Sequence, residues 1–356
     1  MPDEIALLEA LVAIPSVSGE EEAIARYVET TVRSWGLEVV RDDVAVRVEV
    51  GGGPGPTLAL VSHLDVVPPG KGWTREPFAP TLEGSRLYGR GSGDAKASVA
   101  AMLCAAKDVA DGDGPGVGRL LVLLGYGEET KHTTMEQAVE TAGPIAAAVV
   151  GEPTNLEFAV AQRGLMMVDL LAEGDQRHAG YAAADGEFRN AVLVLARDLL
   201  KLDGLFAERS HPVLGHTTAT PTMLDAGVSR NVTPPVAKAI LDIRSTPDWT
   251  HDEVAHVLRE SLASNVVVTS QRLVPCETPA GSRLLAAARR VRPHAGTFGS
   301  PTCSDWVFLR HVDAVKCGPG TSRRSHTPDE YVDLPEVTGA RVFYAALAQT
   351  YLAEPA

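Results

Sequence analysis

Five side chains with the chemistry of metal ligands stand at the ends of separate apolar runs in the sequence. They are His63, Asp94, Glu129, Glu152 and His326. A buried charge without a partner is costly, whereas a divalent cation makes the same charge favourable. Five such ligands can hold two cations, and Glu128 remains beside them as an acid–base group. The pattern predicts a hydrolase of amide bonds that uses two metal ions.

The segment SHLDVVPPG places His63 and Asp65 two residues apart at the end of a predicted strand, and therefore on one face. One side chain can bind a metal while the other orients the imidazole. A His–Asp pair that caps a turn has the same local pattern. About thirty residues later, the glycines of GRGSGDAKAS flank Asp94, so that its carboxylate can bridge two cations. A helix N-cap at Asp94 is the competing interpretation.

Adjacent acids follow the apolar run LLVLLGYG. Neighbouring carboxylates at a buried strand end repel each other, which raises one pKa unless a metal is present. We predict that Glu129 is a metal ligand and Glu128 the general base, although for the pair taken alone a solvated loop is the favoured interpretation. Nearby His132 either faces the site or is a loop residue, and the loop is the preferred interpretation. Imidazole and carboxylate ligands without thiolate suit zinc, cobalt or manganese in an open catalytic site.

Alternating apolar strands and helices predict an α/β catalytic domain over residues 1–160 and again over 275–356. Between them, residues 161–274 contain four predicted strands and two predicted helices, which indicate an inserted α+β sandwich that serves as a lid or dimerisation module. The fold class is therefore a mixed α/β, two-domain metallohydrolase. Near the N-terminus, Ser18 and Glu21 have the spacing of a helix capping box.

The composition narrows the class of protein further. A formal net charge of −14 over 356 residues argues against nucleic acid and anionic membrane as partners. No apolar run is long enough to span a bilayer, and the acidic N-terminus lacks the basic segment of a signal peptide. The four cysteines show no CxxC spacing and are interpreted as reduced thiols. These features predict a cytoplasmic protein.

The segments SHLDVVPPG, YGRGSGDAKAS, GEET, VVGEPT, NVTPPVAKAILDIRSTP and GPGTSRRSHTPDEY occur in an order that resembles the M20 metallopeptidases over nearly the whole chain. The likeness is greatest to the acetylornithine deacetylase, succinyl-diaminopimelate desuccinylase and acetyl-lysine deacetylase group. It implies two zinc ions, one held by His63 and Glu152 and the other by Glu129 and His326. Asp94 would bridge the ions, and Asp65 would support His63.

The resemblance also implies residues that contact the substrate. Asn231 and Arg244 match positions that bind its carboxylate and carbonyl groups, and the planar fork of arginine suits a carboxylate. A surface charge at a strand edge is the alternative for Arg244. His178 resembles a lid histidine that reaches the site of a second subunit in a homodimer and stabilises an oxyanion. Arg177 and Ala182 depart from the family pattern around it, and a plain exposed histidine fits nearly as well.

The expected activity is metal-dependent hydrolysis of the amide bond of an N-acylated amino acid, with deacetylation of acetylornithine or acetyl-lysine preferred. The alternatives with the same mechanism are a dipeptidase or carboxypeptidase and a desuccinylase, the last favoured by Arg323 and Arg324. A non-catalytic amino-acid-binding homologue is a further alternative. It would have lost a ligand or Glu128, and none of these six positions is lost.

Overall fold

The computed structural model describes residues 2–112, 114–130, 132–182 and 188–353. The chain divides into two compact units. The first unit comprises Met1–Val160, Glu277–Phe298 and Ser304–Ala356, and the second comprises Ala161–Cys276 and Gly299–Cys303. The divisions predicted from the sequence fall after residues 160 and 274, whereas those of the structure fall after residues 160 and 276, and residues 299–303 also belong to the second unit.

A mixed sheet forms the centre of the first unit. Its strands are β1 (Glu38–Arg41), β2 (Ala45–Gly51), β3 (Thr57–His63), β6 (Arg119–Gly125), β7 (Ala147–Val150), β8 (Phe158–Gln162), β13 (Cys276–Glu277), β14 (Thr297–Ser300) and β15 (Asp313–Lys316). The order is β1-β2-β6-β3-β7-β15-β8-β13, with β14 beside β8. Strands β6, β3, β7 and β15 are parallel neighbours. Every residue of β3 and β7 is buried, as continuous apolar strands covered on both faces require.

Helices cover this sheet. They are α1 (Glu4–Val12), α2 (Glu22–Ser34), α3 (Lys96–Asp111), α4 (Thr133–Thr141), α7 (Arg283–Val291) and α8 (Leu334–Leu352). Helix α3 is buried along most of its length and packs against α1 and α8, so its alanine-rich sequence permits close approach. A small second sheet, in the order β16-β5-β4, is built from β4 (Thr81–Glu83), β5 (Arg86–Tyr88) and β16 (Tyr331–Asp333).

The second unit contains a four-stranded antiparallel sheet in the order β10-β11-β9-β12. Its elements are β9 (Leu165–Glu173), α5 (Ala191–Lys201), β10 (Thr218–Ala226), β11 (Val236–Arg244), α6 (His251–Ser261) and β12 (Asn265–Leu273). Buried and less buried residues alternate along β9 and β11, so one face of the sheet packs on the helices. The predicted fold class is confirmed.

The start of α2 differs from the sequence prediction. The predicted capping box at Ser18 and Glu21 is wrong, because α2 begins at Glu22 with no side-chain hydrogen bond at its N-cap. Both residues instead make contacts at the candidate site.

Within the described ranges, no helix combines the length and apolarity that crossing a membrane requires.

Candidate metal centre

The parallel strands β3, β6, β7 and β15 of the first unit end at one edge of the sheet. The strand ends, or the segments that follow them, carry His63, Glu128, Glu129, Glu152 and His326. Because the carboxyl ends of parallel strands meet at the same edge, side chains from distant parts of the sequence converge there. The side chain of Asp94 reaches the same edge of the sheet from the loop that precedes α3.

The five predicted ligands form two groups that share Asp94. In the first, His63 Nε2 lies 3.4 Å from Asp94 Oδ1 and 3.8 Å from Glu152 Oε1. In the second, His326 Nε2 lies 3.6 Å from Asp94 Oδ2 and 2.9 Å from Glu129 Oε2. The two oxygens of Asp94 therefore face different imidazoles, which is the arrangement that a bridging carboxylate needs.

The environment of His63 fits a metal ion. Its Nδ1 lies 3.0 Å from the carbonyl oxygen of Asp65, which assigns the proton to Nδ1 and leaves a lone pair on Nε2. That Nε2 is buried and has no hydrogen-bond partner among the described residues. Each group combines one imidazole with two carboxylates, a donor set suited to zinc, cobalt or manganese. The residues present thus fit a pair of divalent cations.

The electrostatics of the cluster point in the same direction. Burial raises the pKa of Glu152 to about 8, and the nearby Asp94 adds to the rise. Burial likewise raises the pKa of Glu128 well above its ordinary value, with the charge of Glu152 as a further cause. For His63, burial acts to lower the pKa, but the neighbouring carboxylates of Asp65 and Asp94 raise it well above the usual range. Negative charge is in excess, and divalent cations would offset it.

Asp65 connects the two halves of the site. Its carboxylate accepts hydrogen bonds from the backbone nitrogens of Glu128 at 3.0 Å and Glu129 at 3.1 Å, and from the Ser18 hydroxyl at 2.7 Å. Burial acts to raise the pKa of Asp65, but its contacts with His63 and Ser18 lower it to about 2. Asp65 was predicted to orient His63, and its carboxylate also fixes the backbone that carries Glu128 and Glu129.

A buried ion pair holds the loop of Asp94, and sequence reasoning missed it. Glu330 Oε1 accepts hydrogen bonds from the backbone nitrogens of Gly93 and Asp94, each at 3.0 Å. Its Oε2 accepts a 2.6 Å hydrogen bond from Arg90, and both side chains are 1% exposed. The available signal was the position of Glu330 four residues after His326 in the quoted segment GPGTSRRSHTPDEY.

Replacing Glu330 by alanine should lower the free energy of unfolding by about 3–5 kcal/mol, because Arg90 is left as an unpaired buried charge. Denaturant unfolding of the variant and the wild type measures this difference. The exposed Glu76 provides the matched control, since Glu76→Ala should change stability by less than about 0.5 kcal/mol. Equal stability of the Glu330 variant and the wild type would contradict the structural role.

A further imidazole and carboxylate lie next to Glu128. His132 Nδ1 is 3.0 Å from Asp305 Oδ1 and 3.7 Å from Glu128 Oε1. His132 therefore faces Glu128, the alternative that was not preferred from the sequence, although it does precede α4 in a loop. Asp305 was not predicted as a site residue, because it lies 177 residues after Glu128 and on a different element.

The predicted substrate contacts of the second unit lie at two places along its sheet. His178 and Asn231 are close, because the nitrogen of Ala179 donates a 2.7 Å hydrogen bond to the carbonyl oxygen of Asn231. Arg244 lies at the opposite end of β11, and its guanidinium makes a two-point contact with Asp242 at 2.7 and 3.0 Å. The nine residues of β11 separate the two places by about 26 Å.

The strand ends of this α/β sheet bring together two groups of imidazole and carboxylate ligands, which share the carboxylate of Asp94. This arrangement is that of a metal-dependent hydrolase. The family model described as peptidase family M20/M25/M40 matches residues 59–350, and the chain belongs to that family. The predicted resemblance is confirmed, and the protein is a metal-dependent amidohydrolase.

Curated relatives match over the full length of the chain. It is 28% identical to a succinyl-diaminopimelate desuccinylase of Rhizorhabdus wittichii, covering 100% of both chains. It is 30% identical to succinyl-diaminopimelate desuccinylase 2 of Ruegeria sp. strain TM1040, covering 98% of this chain and 95% of the relative.

Solved structures share the fold. The aminopeptidase PepT of Bacillus cereus has a TM-score of 0.83 at 19% identity, covering 98% of each chain. The YxeP protein of Bacillus subtilis, described as a dinuclear metal binding peptidase from the M20 family, has a TM-score of 0.76 at 16% identity. That match covers 97% of this chain and 96% of YxeP.

Proposed function

We propose that the protein hydrolyses the amide bond of an N-succinylated amino acid and uses two divalent cations, with zinc preferred. The observation that carries the proposal is Asp94, whose two carboxylate oxygens face His63 and His326 in two separate ligand groups. The relatives named succinyl-diaminopimelate desuccinylase support the acyl group. The deacetylation preferred from the sequence alone stays a prediction, and the peptidase alternative is favoured by no residue contact.

His63 and Glu152 would hold one cation, Glu129 and His326 the other, and Asp94 both. When bound, the cations would polarise the amide carbonyl and lower the pKa of water. The protein's own part is to fix these ligands on rigid strand ends, through Asp65 and Glu330, before substrate arrives.

Glu128 is the proton carrier in this proposal. Its carboxylate takes one proton from the attacking water, whose oxygen bonds to the carbonyl carbon. The carbon–nitrogen bond then breaks, and Glu128 returns the proton to the leaving amine. The products are a carboxylic acid and an amine, which at neutral pH become a carboxylate and an ammonium group by transfer of the acid proton. The hydrogen bond from the Glu128 nitrogen to Asp65 keeps the side chain on the same side of the site as the ligands.

The acyl group is selected by Arg323. This residue is exposed, stands three positions before His326, and pairs with no described carboxylate. Its neighbour Arg324 differs, because its guanidinium bonds to Asp333 at 3.1 Å and stacks on Tyr331 at 3.9 Å. The guanidinium of Arg323 is therefore available to bind the terminal carboxylate of a succinyl group, whereas the guanidinium of Arg324 is held by contacts within the fold.

Replacing Arg323 by alanine should raise KM for an N-succinyl amino acid about 10-fold, the effect of losing one charge-assisted hydrogen bond. KM for the matching N-acetyl amino acid should change less than about 2-fold, since an acetyl group has no second carboxylate. Steady-state assays on both substrates with wild type and variant give the comparison.

The exposed Arg289, on α7, provides the matched control, and Arg289→Ala should leave both KM values unchanged. If the wild type prefers the N-acetyl substrate and Arg323→Ala affects neither KM, the succinyl assignment fails and deacetylation replaces it. Turnover of dipeptides alone would favour the peptidase alternative.

The proposal includes a homodimer, in which His178 and Asn231 of one chain contact the substrate bound at the metal centre of the other chain. Within the second unit of one chain, the length of β11 separates Arg244 from the pair His178 and Asn231. A single small substrate therefore cannot contact all three of these residues in the same chain. If all three residues contact one substrate, two chains must supply them. Strand β10 at the edge of this sheet carries Leu224 at 63% exposure, an apolar edge of the kind that a second chain covers.

Replacing Leu224 by lysine should convert a dimer into a monomer, because a charge is placed on the exposed apolar edge strand. Size-exclusion chromatography with light scattering measures the mass. Leu82, on β4 of the first unit, is 52% exposed, and Leu82→Lys is the control that should leave the dimer intact. A wild type that is monomeric at all concentrations would contradict this part of the proposal.

A further inference from the structure

A third group of side chains at the edge of the metal centre has the composition of the first two. Glu128, His132 and Asp305 offer one imidazole nitrogen and two carboxylate oxygens, all within 4.8 Å of one another. Each of the two ligand groups around Asp94 likewise contains one histidine and two carboxylates. The third group does not include Asp94, so it is separate from the pair of sites already described.

The spacing of the third group also matches that of the first two. Its nitrogen–oxygen distances are 3.0 and 3.7 Å, against 3.4 and 3.8 Å around His63 and 2.9 and 3.6 Å around His326. Ligand atoms about 2.0–2.1 Å from a tetrahedral zinc ion are about 3.3 Å apart. The three ligand atoms, all within 4.8 Å of one another, are therefore spaced closely enough for one cation to reach all of them.

Burial and charge favour a cation in this volume. Glu128 and Asp305 are 7% and 3% exposed, so two carboxylates are largely removed from water. Among the described residues, the imidazole atom that faces both carboxylates is Nδ1 of His132, whose side chain is 13% exposed. One divalent cation would neutralise both carboxylates, whereas one imidazolium would neutralise only one of them.

We infer that Glu128, His132 and Asp305 form a third, regulatory site for a divalent cation of the zinc, cobalt and manganese class. Occupancy of this site engages the carboxylate of Glu128 and withdraws it from proton transfer. The inhibitory effect rests on the proposed role of Glu128 as the general base, whereas the binding of the cation does not. The site acts as a sensor that stops hydrolysis when the concentration of free metal is high.

The test is the number of cobalt or zinc ions bound by the full-length protein after stripping with a chelator, measured by equilibrium dialysis and elemental analysis. The wild type should bind three ions, the third more weakly than the others. His132→Gln and Asp305→Asn should each bind two, with the affinities of those two unchanged. His294→Gln removes an exposed histidine of the same unit and should still bind three.

Saturation of the wild type at two ions would overturn the inference, whether or not the variants fold. Binding of three ions by folded His132→Gln and Asp305→Asn would overturn it too. In activity assays, excess metal should inhibit the wild type more than about 10-fold and His132→Gln less than about 2-fold. If the wild type binds three ions and both variants bind two, but no substrate is hydrolysed, the proposed function fails and the third site stands.

Discussion

Replacing Glu128 by glutamine should lower kcat for amide hydrolysis by roughly 10²–10⁴-fold, the usual contribution of a general base. Glutamine has nearly the same shape but cannot take the proton of the attacking water. The variant should still bind the two cations of the groups around Asp94, because Glu128 belongs to neither group. Steady-state kinetics and metal analysis of the same preparation measure the two effects together.

Glu136 provides the matched control for this substitution. It is exposed on α4, eight residues after Glu128, and Glu136→Gln should leave kcat within about 2-fold of the wild type. A Glu128→Gln variant with undiminished kcat would remove Glu128 from the mechanism. Loss of both cations together with activity would instead make Glu128 a structural ligand.

Replacing Asp94 by asparagine should weaken binding of both cations, each by at least about 100-fold, and abolish hydrolysis. The reason is that Asp94 supplies one carboxylate oxygen to each ligand group, so that the substitution removes negative charge from both. By contrast, His326→Gln should weaken one cation only, because His326 belongs to one group. Calorimetric titration of stripped protein with zinc distinguishes the two patterns.

The exposed Asp43 of the same unit is the control, and Asp43→Asn should leave both affinities unchanged. If Asp94→Asn weakens a single cation, Asp94 does not bridge. The two-ion arrangement would then require another shared ligand.

The fold class and the convergence of the five predicted ligands could be foreseen from sequence. Each of His63, Glu129 and Glu152 follows an apolar run, and such runs in an α/β pattern form parallel strands whose ends meet at one edge. The side chains of polar residues at those ends are therefore brought together by the topology. The structure does bring the five together around Asp94.

The residues that support the site could not be foreseen, because their partners are distant in sequence. Ser18 and Glu21 have the local spacing of a capping box, but Ser18 bonds to Asp65 and Glu21 accepts a hydrogen bond from the nitrogen of Gly127. In the same way, the partner of His132 is Asp305, 173 residues away. Local pattern rules carry no information about such contacts, which depend on how the elements pack.

The side-chain contacts within the second unit could not be predicted from the sequence either. Arg244 was predicted to grip a substrate carboxylate, and in the structure its guanidinium is held by Asp242, two residues earlier on the same face of β11. A substrate carboxylate would have to compete with this contact. The role of Arg244 in binding stays a prediction.

The central claim is that two cations held around Asp94 are required for hydrolysis of an N-acylated amino acid. The most direct test adds zinc or cobalt in fractional steps to chelator-stripped protein, while amine release from N-succinyl and N-acetyl amino acids and dipeptides is followed. We predict no turnover without metal, full turnover of the N-succinyl substrate at two equivalents, and a decline as a third ion binds. Equal turnover by the metal-free protein, or no turnover of any substrate at two equivalents, would contradict the account.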